Sequence, residues 1–355
     1  MKLYGKRWIK RELESLVGKM DQIGGIARLK YTEGKEAGTE LIQVRTGAGL
    51  TYYISPSRGF DIVSAEFAGN SLSWLSPNGP AHPGYFQQQG KGWLKTAAGG
   101  LLMTCGLTQV GSPCKDGDEE LGLHGNIHHI PAKNICTSAE WVENDYVLKA
   151  SAVMEETSIF GVNLQMKREI TSFAGENRLT IRDIVENKGF EPAPHMILYH
   201  FNFGFPFMNE ETFIDFPSNK VTPRDSDTSL ADYQRWEKPA NNSREKVYYH
   251  ENLNVDVRGN TTVSITNPTF PLLNEKMPLT ATLTWSAKTL PKLVQWKANA
   301  EGMNVLGIEP SNCYVEGRVK ERERGTLCFL EPGEKLDYHL ELSLALAGKE
   351  VVEEN

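Results

Sequence analysis

Asp337-Tyr338-His339-Leu340-Glu341-Leu342-Ser343-Leu344-Ala345-Leu346 carries an apolar side chain at every second position from Tyr338 to Leu346. Successive side chains of a strand point to opposite faces, so a period of two marks a half-buried β-strand. A helix would space the apolar residues three and four apart. Working outward, short β-branched or aromatic segments, partly alternating, recur at 51–54, 62–67, 146–154, 164–171, 179–185, 195–205, 281–285, 293–297 and 305–308. Turn formers punctuate them: Glu33-Gly34, Pro77-Asn78-Gly79, Asn187-Lys188-Gly189 and Glu331-Pro332-Gly333. The pattern predicts an all-β protein. One exception is residues 7–20, where Ile9, Leu13, Leu16, Val17 and Met20 fall at helical spacing, which predicts a short N-terminal helix ended by Gly18 and the Gly24-Gly25 pair.

The 355 residues can bury a large core without disulfides or metal. The net charge is -7, and Lys and Arg are dispersed rather than clustered. That excludes the footprint of a nucleic-acid binder. Lys320, Arg322 and Arg324 alternate with Glu321 and Glu323, as expected of a solvated loop or edge strand. Five cysteines without CxxC spacing indicate neither a disulfide framework nor a zinc site. The first ten residues have no apolar signal core, and no run approaches the roughly 18 apolar residues of a membrane span. A cytoplasmic protein with no membrane partner is the expectation. Domain boundaries are expected at an N-terminal helical extension (1–24), one catalytic domain (25–349) and an acidic tail (350–355). Residues 77–133 are rich in Gly, Pro, Gln and His and too long for an ordinary connection; their apolar pieces, including Trp93 and Leu101-Leu102-Met103, predict an ordered functional segment. Residues 223–244 read as a surface excursion carrying Tyr233 and Trp236.

Three segments place titratable side chains among glycines, aromatics or prolines. In Gly122-Leu123-His124-Gly125-Asn126, small neighbours let a ligand approach His124 closely. His128 and His129 follow, but no third-ligand pattern completes a metal site, and a structural role competes with a ligand contact. In Leu198-Tyr199-His200-Phe201-Asn202-Phe203-Gly204, strand alternation puts His200 and Asn202 on one face and the three aromatics on the other. A core histidine satisfied by backbone is the competing reading. In Leu306-Gly307-Ile308-Glu309-Pro310, Glu309 ends an apolar strand, where desolvation raises a carboxyl toward the range of a general base. An exposed strand-end glutamate is the bland alternative. Arg58 in Ser57-Arg58-Gly59-Phe60-Asp61, and Gln295 in Leu293-Val294-Gln295-Trp296-Lys297, are residue types that contact sugars; Gln295 and Lys297 should face one side and Trp296 the other.

Together these segments carry a family resemblance. Leu-His-Gly at 123–125, Tyr-His-Phe-Asn-Phe-Gly at 199–204 and Ile-Glu-Pro at 308–310 resemble the galactose mutarotase-like (aldose 1-epimerase) superfamily. Asp21-Gln22-Ile23-Gly24-Gly25, Ser57-Arg58-Gly59-Phe60-Asp61-Ile62 and the run from Gly122 to Ala132 are similar to its DUF4432-type bacterial branch. The resemblance covers about residues 21–347. It implies a large antiparallel β-sandwich with a carbohydrate groove on one concave face, and it implies roles: Glu309 as general base, His200 as general acid, and His124 binding the sugar. Arg58, Gln295 and Asn202 are further candidate sugar ligands. The implied reaction interconverts anomers by acid–base ring opening and needs no cofactor and no metal. Tyr199-His200 stands where galactose mutarotases often have Asn-His. The family's substrate-binding aspartate has three candidates here, Asp215, Asp225 and Asp232. Two alternatives use the same groove: an isomerase or lyase abstracting a proton from a keto-sugar or uronate, and a non-catalytic carbohydrate-binding protein. A phosphosugar would call for clustered cations, whereas Lys91, Lys95 and Lys115 are spread along the long loop. The only partner expected is a small-molecule carbohydrate, for a monomer or homodimer.

Overall fold

In the computed structural model, which describes residues 1–346 apart from Asp232, Asn242 and Asn274, the strand Lys335–Leu346 lies between Arg178–Asn187 and Glu275–Ser286. Tyr338, Leu340, Leu342 and Leu344 are buried, while His339 and Ala345 face water. The alternation therefore reads out as expected: one face on the core, one solvated, as antiparallel sheets allow. The expected tail, 350–355, lies outside the described residues.

This strand is central in an eight-stranded antiparallel sheet ordered Lys133–Val142, Asp145–Thr157, Asn163–Phe173, Arg178–Asn187, Lys335–Leu346, Glu275–Ser286, Asn260–Leu272 and Phe213–Asp215. A second antiparallel sheet runs Ser218–Pro223, Lys246–Leu253, Lys292–Ala300, Met303–Ser311, Ala193–Gly204 and Cys328–Leu330, with Leu102–Leu107 also pairing Ala193–Gly204. A five-stranded sheet (Gly25–Lys30, Glu40–Arg45, Leu50–Ser55, Asp61–Phe67, Asn70–Ser71) and two short ribbons (Lys2–Leu3 with Lys6–Arg7, Cys114–Asp116 with Glu119–Leu121) make up the other sheets among the described residues.

The main hydrophobic core lies between the first two sheets. Leu340 and Leu342 come from one, and Tyr199, Phe201, Leu306 and Ile308 from the other. The second sheet has a further apolar layer on its other face, including Met103, Met196, Leu198 and Val294 under Trp93. Its central strands are thus covered on both faces, and all six residues of Leu102–Leu107 are buried. That strand, inside the long Gly-rich segment, escapes a search for alternation because a strand buried twice shows none.

Charged groups cross the core only as a satisfied network. Arg168 holds Asp183 at 2.6 Å and Asp61 at 2.6 Å, and Tyr199 donates to Asp183 at 2.8 Å. Asp61 also accepts from Thr104 Oγ1 at 2.6 Å and lies 2.7 Å from His128 Nδ1. Arg168, Asp61 and Asp183 are fully buried, which charges tolerate only when paired and hydrogen-bonded.

Two local expectations are corrected. The helix predicted over residues 7–20 is only Lys10–Glu14. Lys6–Arg7 pairs instead with Lys2–Leu3, the helix start has no side-chain cap, and Ile9 and Leu16 are exposed, leaving Leu13 as the buried anchor. The segment 320–324 is no loop or edge strand: residues 320–323 belong to the helix Arg318–Glu323, and Arg324 caps its C-terminus. Its Glu321 is fully buried, accepting from Tyr314 N and Thr326 Oγ1 beside Lys292 and Arg324. Among the described residues, no helix is long and apolar enough to cross a membrane.

Candidate active site

Alternation along the second sheet sends one set of side chains into the core and the other into a cavity of about 780 Å³. Strand register builds the cavity floor. Leu198 pairs with Ser311 and Phe201 with Ile308, which sets His200 across from Glu309. Met103 flanks His200 on the other side, and Val294 flanks Glu309. In the next row Gly307 lies between Asn202 and Trp296. A Cβ on Gly307 would come within 2.7 Å of Glu309 Oε1 and 3.0 Å of both His200 Cε1 and Trp296 Cβ. The missing side chain is the space in which the pair stands.

His200 Nε2 lies 3.1 Å from Glu309 Oε1. The two are out of hydrogen-bond alignment, so Oε1 has no hydrogen-bond partner among the described residues, and neither has His200 Nδ1 on the other side of the ring. Both side chains are nearly buried, at 6% and 2% exposure. Burial, aided by Glu245 and opposed by Arg224, raises the Glu309 carboxyl well above its ordinary range. Burial, aided by the nearby His124, lowers His200 to about 3, with Asn202 opposing. Desolvation penalises each charged form, so the pair rests with one proton and no net charge.

His124 reaches the cavity from the loop above, in a left-handed backbone conformation (φ 57°) followed by Gly125 (φ 72°). Three main-chain contacts clamp it: its N–H to Gly111 O at 2.9 Å, Gly106 N to its carbonyl at 3.0 Å, and Gly111 N to its Nδ1 at 3.4 Å. With Nδ1 accepting, the ring proton belongs on Nε2. Burial lowers its pKa to about 4. Its ring centroid is 6.1 Å from that of His200 and 4.9 Å from that of Trp93. Trp296 meets His200 edge-on at 5.3 Å, and its indole N–H donates to Glu245 at 2.9 Å. Nearer the mouth, Arg224 bridges Asp225 at 2.7 Å and Glu245 at 3.0 Å.

The cavity thus gathers His200, Glu309 and His124, but not the other three residues named from sequence. Arg58 is fully buried and donates to the carbonyls of Ala81 and Thr96. Gln295 faces the opposite side of its strand, donating to Tyr233 O at 2.7 Å and lying 3.2 Å from His250 Nε2. Its neighbour Trp296 takes the cavity side, so the alternation was right and the chosen face was wrong. Asn202 shares the cavity face of its strand with His200 but is fully buried, donating to the carbonyls of Gly100 and His200, and does not line the cavity. Of the three aspartates, Asp225 lines the cavity, Asp215 does not, and Asp232 is outside the described residues. The expected surface excursion is exposed or half-exposed along its described residues except at Trp236, which anchors it to the sheet, 3% exposed and bonded to Asn304. Sequence reading missed Trp74 and Glu245 altogether and took Trp93 for packing alone; aromatics inside a Gly- and Pro-rich loop were the available signal.

His128 and His129 turn away from the cavity: His128 contacts Asp61, and His129 stacks on Phe86 at 3.8 Å and meets Thr96 at 2.9 Å. Among the described residues, no group of three or more His, Cys, Asp or Glu side chains is placed to hold a metal ion.

The chain is thus an antiparallel sandwich with a histidine–glutamate pair in a tryptophan-lined groove. Solved structures bear out the fold. A candidate aldose 1-epimerase from Klebsiella pneumoniae superposes with a TM-score of 0.82 at 23% identity, over 96% of this chain and 91% of that one. A galactose mutarotase-like protein from Clostridium acetobutylicum gives 0.61 at 15% identity (91% and 99%). Galactose 1-epimerase from Lactobacillus acidophilus gives 0.58 at 13% identity (91% and 99%). The chain belongs to the family described as a domain of unknown function, DUF4432, whose profile matches residues 36–344. No curated protein sequence matches it.

Proposed function

We propose that the protein is an aldose 1-epimerase, acting on the anomeric carbon of a reducing sugar through Glu309 and His200. The observation that carries this reading is the buried pair itself: two titratable groups 3.1 Å apart, each with an unpartnered polar atom. A structural pair would satisfy those atoms.

In the proposed reaction the Glu309 carboxylate takes the proton from the O1 hydroxyl. The O1 lone pair forms the C1=O1 double bond as the C1–O5 bond breaks, and O5 takes the proton of the His200 imidazolium. The aldehyde turns about C1–C2, and the reverse transfers close the ring with the other configuration. Ring opening converts a carboxylate–imidazolium pair into a carboxylic acid and a neutral imidazole, with no change in net charge. The dry site disfavours the charged tautomer from which the reaction starts, so the proton first passes from Glu309 to His200, and ring opening then returns the pair to its uncharged resting form. His124 Nε2–H is available to a sugar oxygen.

Saturation-transfer NMR across a panel of aldoses tests this. Accelerated anomeric exchange is expected for at least one sugar, with Glu309→Gln reducing it about 10²–10⁴-fold, as for loss of a general base. Binding without acceleration in the wild type would leave a carbohydrate-binding protein. Proton exchange at carbon of a keto-sugar or uronate, without mutarotation, would redirect the same pair to carbon-acid chemistry.

A further inference from the structure

The cavity is wider than the catalytic pair requires. Six neighbouring strand positions contribute to its walls: Arg224, just past Ser218–Pro223, then Val247, Trp296, Glu309, His200 and Met103. At about 4.8 Å between strands, this floor is roughly 24 Å across, whereas one pyranose ring covers little more than one strand spacing. The volume of about 780 Å³ agrees; cavities of about 300–1,000 Å³ hold ligands of drug size.

The excess lies on one side. Only Met103 lies beyond His200, but three of the strand positions lie beyond Glu309, toward Arg224. That side is furnished as a sugar-recognition surface. Trp296 is met edge-on by Trp74 at 6.1 Å, giving apolar faces for ring C–H groups. Next to them, Asp225 and Glu245 are partly exposed carboxylates held in place by Arg224, and Glu245 is also fixed by the Trp296 N–H. Arg224 is engaged by two carboxylates, so this cluster carries a net negative charge and suits hydroxyl donors; Lys91 and Lys320, also in the cavity wall, are the cations an anionic sugar would meet, which is why glucose 6-phosphate belongs in the test. The unpartnered oxygen of Glu309, a residue 2% exposed, marks the other end as the place for the reacting ring.

We propose that the substrate is a neutral reducing disaccharide or longer saccharide, with its reducing ring at His200–Glu309 and its second ring over Trp296 and Trp74, hydrogen-bonded by Asp225 and Glu245. This rests on the reading of His200–Glu309 as the anomeric site.

The test measures both anomeric exchange by saturation-transfer NMR and binding by calorimetry. The probes are glucose, galactose, glucose 6-phosphate and a set of reducing disaccharides (maltose, cellobiose, lactose, melibiose, gentiobiose). At least one disaccharide should show kcat/KM ten-fold or more above the monosaccharide that shares its reducing ring, mainly through KM. Asp225→Asn and Trp74→Ala should each shrink that ratio toward one. Equal rates for mono- and disaccharides would overturn the two-ring site while leaving mutarotation standing, and so would preference for glucose 6-phosphate. Selective disaccharide binding with no accelerated exchange would uphold the two-ring site and overturn mutarotation. Absence of both binding and exchange across the set would overturn both.

Discussion

At the residue scale, Gly307 decides whether the catalytic pair can exist. It sits one side-chain repeat from Glu309 on the same strand face, where any Cβ would press on the Glu309 carboxylate, the His200 ring and the base of Trp296. The carboxylate is the end that can move, so Gly307→Ala should fold with a melting temperature close to wild type. Its anomeric exchange should fall by about 100-fold, the scale on which small misplacements of reacting groups act. Thermal melting and exchange on one sample check both halves. The pair's proton count also sets a pH profile. Activity needs one shared proton, and that state spans the window between His200, lowered to about 3, and Glu309, raised well above its ordinary value. The acid limb of kcat/KM should therefore lie well below the ordinary imidazole pKa, and an acid limb at about 6.5 would contradict it. His200 and Glu309 were legible in sequence because each stands in a strand whose neighbours must be apolar. Gly307 was not, because its importance lies in a cross-strand contact.

At the element scale, the helix Arg318–Glu323 illustrates how a polar sequence can fold inward. Lys320, Arg322 and Arg324 read as a solvated run, yet Glu321 between them is wholly buried against Tyr314 N, Thr326, Lys292 and Arg324. Charge alternation shows that a segment can be solvated and is blind to an anion partnered from another strand. Replacing Glu321 by Ala strands Lys292 and the Tyr314 N–H, and urea unfolding should show a loss of about 3–5 kcal/mol, the usual cost of breaking a buried pair. The same helix carries Lys320 in the cavity wall, so sugar affinity should weaken along with stability. The N-terminal helix shows the opposite error. Its helical spacing was real, but two of its apolar residues, Ile9 and Leu16, found nothing to cover, and only five residues stayed helical.

At the scale of the whole molecule, Arg168 ties the three larger sheets together through Asp183, Asp61 and Thr104. Arg168→Met leaves two buried carboxylates without their cation and should destabilise by about 3–5 kcal/mol, measured by denaturant unfolding. The fold also buries histidines widely. Six of the eight, His124, His128, His129, His195, His200 and His250, are shifted down by desolvation. His195 and His250, like His124, fall to about 4. Between the ordinary value of 6.5 and about 4 the unfolded chain binds more protons than the folded one, so stability is full above pH 6.5 and drains as pH falls through that window. Glu156 and Glu309, whose pKa values are raised, act in the opposite sense above about pH 4.5, but they are outnumbered. Melting temperature should fall steadily from about pH 7 to about pH 4.5; a flat curve would contradict the burial of these rings. Alternating hydropathy by itself determined most of the strands, because it depends on neighbours along the chain; the antiparallel sandwich and the pairing of His200 with Glu309 came from the family resemblance, since register between strands is not written in a local pattern. Which face of each strand meets the cavity was decided only by tertiary packing. Ala193–Gly204 and Lys292–Ala300 are covered on both sides, so period-two patterning separates their two faces without saying which one is core. Register across six strands and the loops laid over them put Trp296 in the groove, Gln295 beneath it and Arg58 in the interior.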